Sequence, residues 1–416
     1  MQIFNYPIKN KQVILALGAE SAGNFSVFKN GKLYFSKDFG DLLEENNFIK
    51  FKKTILAFLK KEKITPDIIL TDLHPMMKTT LWGKILAKKY KATHVQIQHH
   101  YAHIFGAIGE QILQATSYKL QTIFGIAMDG TGYGEDEKIW GGECFAISNF
   151  NFPVSKQKTH IERIGHLENQ ILLGEELAIR EPARMLISIL SKFLTKKEVF
   201  NFVKKYYSKN EFELLYNQLK QNFNCLETSS TGRVLDAISL LLGFCNNERK
   251  YKHEPIDLLE KNSTQPYTNL KPKIIEIKAT NYSLENSSFE IDSKFNPPAG
   301  GQNSKLILQT TALFAYLIKN LHKDKHRLAA TAQLYIAQGL YEIIKKSSVI
   351  SHQPSKKYEI FAGGGIANNK IISTYLKSKG AYANKKIYPV NSNEFNGVPR
   401  GDAGLSFGQI IYFLLS

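Results

Sequence analysis

VILALGAESAGNFSVFKNGKLYF, residues 13–35, is the stretch that decides the fold. VILAL (13–17), after a short N-terminal tail, is an unbroken apolar run and reads as a buried strand. Two further strands flank Asn30-Gly31, a pair that tolerates positive φ and is therefore a strong hairpin signal. Beyond it the pattern alternates: an amphipathic helix (FKKTILAFLKKEK), a strand at DIIL (67–70), a helix at TLWGKILAKKY and a strand at THVQI. Another helix carries HYAHIFGAIGEQIL, and the strand TIFGIAM with the hairpin arm IWGGECFAI is expected to complete the first half.

Three early strands followed by strands alternating with helices describe an α/β chain with a mixed sheet of ribonuclease-H-like type. A length of 416 residues suits two lobes, expected at 1–150 and 151–416. The second is expected to hold a helical insertion (176–245) and a polar excursion (261–304), rich in Asn, Ser and Pro, with a hairpin at KIIEIKAT. Two long helices, a strand at YEIFA, a glycine run, a helix, the strand KIYPV and a last helix from about Gly404 complete the chain.

Composition narrows the function. Hydrophobic residues at 43% against 22% charged is the balance of a soluble globular protein. A net charge of +17 invites a nucleic-acid reading, since basic surfaces gain affinity for phosphates by counterion release. Its makeup weakens that reading: seven of 54 basic residues are Arg, the residue suited to bidentate phosphate and base recognition, and the lysines scatter as KK pairs on helix faces. Cys144, Cys225 and Cys245 form no CxxC pair, so neither a disulfide framework nor a thiolate zinc site is indicated and a reducing cytoplasm fits. No signal peptide opens the chain and no apolar run is long enough to span a bilayer, so no membrane contact is expected.

Four segments can carry chemistry. In QHHYAH, His99 and His103 are four apart where a strand gives way to a helix, so both rings share one face within reach of one ion. The bland alternative is a polar helix start with satisfied hydrogen bonds, while His100 points about 100° away, toward substrate or simple packing. DGTGYG (129–134) puts Asp129 where an apolar strand must turn, beside Gly130 and Gly132, whose backbone could approach a phosphate; a plain hairpin turn is the alternative. FAGGGIANN (361–369) repeats that layout, strand then glycines then helix, with Gly363, Gly364 and Asn368, and its spacing matches neither a dinucleotide motif nor a P-loop. TSSTGRVLDAISLLLG places Arg233 and Asp236 at a helix start, where Asp236 either accepts from ribose hydroxyls or complements the helix dipole. Asp402 in PRGDAG reads alone as an N-cap of the final helix.

Together these segments resemble the C-terminal carbamoyltransferase portion of the hydrogenase maturation factor HypF family, in the actin-like ATPase (ASKHA) superfamily. The stretches are LALGAE, TDLHPMMKTT, QHHYAH, AMDGTGYGEDEKIWGGECF, AIREPARM, TSSTGRVLDAISLLLG, FAGGGIANN and VPRGDAGLSFGQ, running from about residue 12 to 411. The resemblance implies a two-lobed fold with nucleotide and metal in the inter-lobe cleft. It implies one divalent metal held by His99, His103, Asp129 and Asp402, a set that suits iron or zinc. It implies nucleotide contacts (ATP, AMP or carbamoyl-adenylate) from Gly130, Gly132, Asp236, Gly363, Gly364 and Asn368. Arg180 and Arg233 suit neutralising phosphate charge, or form a lobe-to-lobe ion pair.

The implied reaction moves a carbamoyl group from carbamoyl-adenylate to the C-terminal cysteine thiol of a HypE-like partner. No stretch matches the family's acylphosphatase, zinc-finger or YrdC-like portions, so a separate YrdC-like supplier of carbamoyl-adenylate is expected. Three departures bear on the site: GAESAGNF lacks the lysine expected near Ala22, His253 stands where a glycine is usual, and RLAATAQ replaces a histidine-containing stretch. Competing readings are a TsaD-like tRNA threonylcarbamoyltransferase, an O-carbamoyltransferase acting on a sugar or small molecule, and a non-catalytic nucleotide-binding module.

Overall fold

The computed structural model describes residues 1–8, 10–114, 122–150, 159–277, 305–347, 358–384 and 397–416. The opening stretch forms strands Ile14–Ala16, Ser26–Lys29 and Lys32–Phe35, an antiparallel meander. Asn30 and Gly31 take φ of 51° and 76°, the left-handed pair that closes a two-residue hairpin. Ile68–Asp72 and Thr93–Ile97 add in parallel on the other side of Ile14–Ala16, each reached through a helix, Glu45–Lys61 and Lys78–Tyr90. Gln2–Asn5, expected as a tail, is an edge strand beside Lys32–Phe35. Phe4 is its anchor, pointing inward to meet Phe407 edge-on with ring centroids 5.9 Å apart.

The second sheet repeats this plan. Thr122–Tyr133, Ile139–Ser148 and His160–Leu167 make the meander, and Glu359–Gly363 then Tyr382–Ala383 add in parallel on the far side of Thr122–Tyr133. TIFGIAM and IWGGECFAI therefore belong to the second sheet, not to the first half where they were expected. The physical reason is burial: Ile123–Met128 is covered on both faces, as a central strand must be, whereas Thr93–Ile97 is a half-exposed edge that could not cover it.

Lys305–Leu308 pairs in parallel with His160–Leu167 and antiparallel with Ile274–Ile277, at the edge of the sheet; the rest of the hairpin expected at KIIEIKAT (278–280) and the strand expected at KIYPV (386–390) lie outside the described residues. The outer face of this sheet is covered by Pro182–Leu190 and Thr231–Leu242, from the expected insertion, and by the helix Lys325–Lys346. Among the described residues no helix is long and apolar enough to cross a membrane.

Between the sheets lies an apolar layer built around two helices, His99–Gln114 and Leu405–Leu415. They cross through small residues. A Cβ added at Gly408 would overlap the Ala102 carbonyl oxygen, and one at Gly109 would press on Phe407 and Ile411. The C-terminal helix also ties itself to the first sheet: Gly18 N–H donates to Gln409 Oε1 at 3.0 Å, and the Ser26 and Ser406 hydroxyls lie 2.8 Å apart. Gly408→Ala should push the crossing apart and destabilise the fold by about 1–3 kcal/mol, read by denaturant unfolding. Unchanged stability would show that the crossing has slack.

Candidate metal centre

The carboxyl ends of parallel strands from both sheets meet at this helix crossing, where open α/β sheets place their ligands. Thr93–Ile97 leads directly into the histidine helix. Its orphan amides are capped by Gln98, whose Oε1 accepts from the His100 and Tyr101 N–H groups at 2.5 and 3.0 Å. The histidine rings are thus free of capping duty and turn toward the acids. Their rings stand 4.6 Å apart at 83°, with Nε2 atoms at 3.0 Å.

Asp129 reaches them from a bulge. The pairing of Thr122–Tyr133 with Ile139–Ser148 slips between Met128 and Gly132, freeing the DGT backbone and re-aiming the aspartate. Its Oδ2 lies 3.0 Å from His99 Nε2 and 3.5 Å from His103 Nε2. Asp402 comes from the one-turn helix Gly401–Gly404, and its Oδ1 is 3.4 Å from both Nε2 atoms. It is not the N-cap of the final helix, a position held by Gly404. Ser21 Oγ donates to Asp402 Oδ2, and Asn24 Nδ2 donates to its carbonyl at 2.9 Å, so the loop GAESAGNF fixes this acid from the other lobe.

One ligand atom from each of His99, His103, Asp129 and Asp402 falls within 4.8 Å of all the others. Asp402 Oδ1 is buried yet makes no hydrogen bond, an orphaned acceptor facing two ring nitrogens. Two imidazoles and two carboxylates in that arrangement fit a divalent iron or zinc ion.

Electrostatics agree. Burial alone would lower the His99 pKa, but Asp72, Asp129 and Asp402 outweigh it and hold the ring well above the usual histidine value. Burial likewise pushes against ionisation of Asp129 and Asp402, and the two histidines hold both acids well below the carboxylate range. Protons do here what a cation would do, balancing two carboxylates.

Asp72 escapes a reading of the sequence for ligands, although it ends an apolar strand as Asp129 does. Fully buried, it takes His99 Nδ1 at 2.6 Å through Oδ2 and the His74 N–H at 2.9 Å through Oδ1. A carboxylate on the far nitrogen fixes the tautomer that leaves Nε2 available to a metal. His100 turns out to be packing: it is fully buried, its Nδ1 lies 3.1 Å from Gln98 Nε2, and burial drives its pKa down to about 3.

The expected nucleotide residues surround the same point in different ways. Gly130 borders the cleft, and a Cβ there would sit 3.8 Å from Arg233 Nη2. Gly132 is glycine because the His99 and His100 rings occupy the space of its side chain. Gly363 and Gly364 press the FAGGGIANN turn against the His103 and Met128 backbones, with Gly364 at φ 93°. Asn368 Oδ1 accepts from Arg400 Nη1 at 2.8 Å. Arg233 pairs within its own helix to Asp236, at 2.8 Å, rather than across lobes. Arg249, which the sequence did not single out, reaches the same Oδ2 at 2.8 Å. Arg180 is exposed and makes no ion pair among the described residues.

A duplicated ribonuclease-H-like sheet with a ligand cluster where its halves meet defines a two-lobed protein of the actin-like class. The HypF Kae1-like domain model matches residues 9–110, and the model described as "Carbamoyltransferase, Kae1-like Domain, second subdomain" matches 125–409. The chain belongs to this HypF C-terminal, Kae1-like family. It is 34% identical to the probable carbamoyltransferase HypF of Methanocaldococcus jannaschii over 98% of its length, but covers 47% of that relative. It is 29% identical over 59% of its length to carbamoyltransferase HypF of Synechocystis sp., covering 31% of it. The solved T. kodakarensis HypF superposes with a TM-score of 0.76 at 28% identity, over 99% of this chain and 48% of that one. Full-length HypF in its phosphate- and nucleotide-bound form gives 0.77 at 22% identity over 99% and 47%, which shows the shared fold. The chain thus spans about half the length of the M. jannaschii and T. kodakarensis HypF proteins.

Asp72→Asn keeps the shape of the side chain but removes the charge behind His99, and should weaken iron or zinc affinity by about 10–100-fold in competition with a chelator. Affinity equal to the parent would show that Asp72 does not position His99. With the acids around it raising the His99 pKa, uptake of the ion should release acid, and affinity should fall as pH is lowered. Metal uptake without proton release, in a lightly buffered titration, would contradict a raised pKa.

Proposed function

We propose that this chain is a metal-dependent carbamoyltransferase. It moves the carbamoyl group of carbamoyl-adenylate to a thiol, the C-terminal cysteine of a HypE-like protein, in a cytoplasmic route to the cyanide ligand of [NiFe]-hydrogenase. The observation that carries this reading is the cluster of His99, His103, Asp129 and Asp402, flanked by two glycine turns and by Arg233, in a chain of the HypF family. A YrdC-like activity supplies the donor.

The chemistry needs a good leaving group, an electrophile held in place and a deprotonated sulfur. In the transfer, the acceptor sulfur forms a bond to the carbamoyl carbon and the carbon–oxygen bond to phosphate breaks. AMP departs with that electron pair, and the thiol proton passes to solvent. Gly130, Gly363 and Gly364 let backbone approach the phosphate closely, and Arg233, backed by Arg249, neutralises the charge that AMP carries away. Asp236 and Asn368 are assigned to the same nucleotide, and Gly132, by leaving room for the His99 and His100 rings, lets the DGTGYG turn lie close to it. We also assign Arg180, exposed at the end of the helix Glu176–Arg180, to neutralising phosphate charge. His99, His103, Asp129 and Asp402 would hold the ion, which when bound would supply a Lewis acid beside the mixed anhydride.

The direct test supplies carbamoyl-adenylate with a HypE-like C-terminal peptide or with tRNA and follows which gains mass. The peptide should be carbamoylated. His103→Ala should lose about one bound ion per chain, and transfer with it, while keeping its fold. Modification of tRNA but not peptide, or full transfer by a metal-free variant, would overturn the reading.

A further inference from the structure

One buried charge beside the DGTGYG turn takes no part in the steps above. Glu143, on the strand Ile139–Ser148, is fully buried and so touches no ligand. Its Oε1 accepts from the Gly141 and Gly142 N–H groups at 3.1 and 3.2 Å and from the Ser229 hydroxyl. Its Oε2 accepts from Arg163 Nε at 2.6 Å, and the Arg163 guanidinium lies over the Trp140 ring, 4.0 Å from its centroid. Burial pushes this carboxyl toward its neutral form, but Arg163, with His166 and His100 nearby, outweighs it and lowers the pKa to about 2.

Ser229 passes that anchorage on to the helix Thr231–Leu242. The next residue, Ser230, caps this helix, its Oγ accepting from the Arg233 N–H at 3.1 Å. The same hydroxyl donates to the Gly130 carbonyl, so the helix that carries Arg233 is fastened to the turn that carries Asp129. The contact has no slack. A Cβ at Gly232 would stand 2.7 Å from Gly130 Cα, and one at Gly141 would stand 2.6 Å from the Asp129 carbonyl oxygen and 3.1 Å from Ser230 Cα. Stability alone does not call for a buried charge here, since apolar side chains of similar volume often serve as well as a buried ion pair. Four donors converging on one carboxylate do what an apolar side chain cannot, which is to give it a single place to sit.

We propose that Glu143 is a positioning residue for the nucleotide: braced by Arg163, it sets the start of the helix Thr231–Leu242 so that Arg233 stands beside Gly130, where the phosphate binds. This rests on the transfer reading above and deepens it. The metal cluster does not depend on the brace, because its side chains are held from elsewhere: His99 by Asp72, Asp129 by the Gly365 N–H at 3.4 Å and Asp402 by Ser21. Glu143 therefore acts on the phosphate side of the cleft and not on the ion.

The test uses the full chain, with zinc affinity measured by chelator competition and AMP affinity by calorimetry on the zinc-loaded protein, so neither result depends on turnover. Glu143→Ala should weaken AMP binding by at least about tenfold, the scale of lost hydrogen bonds to a charged group, while zinc affinity changes by less than about twofold. Formate, which can refill the space left beside Arg163, should restore most of that loss, and chloride should not. Ser229→Ala leaves the Glu143–Arg163 pair in place and cuts only its link to the helix start. It should weaken AMP binding about threefold and show no response to formate, and it decides the matter alone if Glu143→Ala does not fold. General damage would lower zinc and AMP affinity together. That result, AMP binding unchanged in both variants, or a loss in Glu143→Ala that formate does not relieve would each overturn the proposal. Failure of the transfer reading looks different: a parent chain that binds zinc but not AMP would sink that reading and this one with it.

Discussion

The closeness of two helices is the constraint from which the site follows. His99–Gln114 carries the two histidines, Leu405–Leu415 follows the turn that carries Asp402, and they meet with backbone nearly against backbone at Ala102 and Gly408. Any larger residue there would move Asp402 away from the rings. Because the second helix is also bonded to the first sheet through Gln409 and Ser406, the crossing registers a piece of chain from the C-terminus against strands from the N-terminus. Four ligand atoms from three distant parts of the sequence therefore converge without a single flexible side chain having to reach.

Charge is arranged with similar economy. The cluster holds a buried carboxylate, Asp129, and a half-buried one, Asp402, beside two imidazoles, with a third carboxylate, Asp72, on the outer nitrogen of His99. Burying that much negative charge is costly unless cations or protons accompany it. The neighbouring acids accordingly raise the His99 pKa well above the usual histidine value, against the pull of burial. Ser21 and Asn24 hold Asp402 from the opposite lobe through neutral hydrogen bonds, which orient the acid without adding charge. On the outer side, Arg233 and Arg249 share one carboxylate of Asp236, leaving an excess of positive charge near Gly130.

What could be read from the sequence was local. The Asn30-Gly31 hairpin, the i, i+4 histidines and the acids at the ends of apolar runs are set by backbone rules that act over a few residues, and the structure has each of them. Features fixed by long-range pairing were not legible. TIFGIAM looks like one more strand of the first sheet until its burial on both faces demands neighbours on both sides, and those come partly from residues 359–363. Gly132 looks like part of a phosphate turn, but its missing side chain makes room for histidine rings. Asp72 had the right position at a strand end and lacked only a visible partner, since His99 is 27 residues away. Arg249 and Arg400 lie in polar stretches where nothing local distinguishes a placed guanidinium from a solvated one.

The duplicated sheet explains how one cleft collects acids from such separate parts of the chain. Asp72 ends a parallel strand of the first sheet and Asp129 sits at the bulge of a central strand of the second, so each half delivers a carboxylate to the same histidine. Gly363 and Gly364 close the point from the second half, with backbone on His103 to one side and on Met128, next to Asp129, to the other. A turn that thin is possible only without side chains, and it is what lets the histidine helix and the bulged strand lie close enough for their side chains to meet.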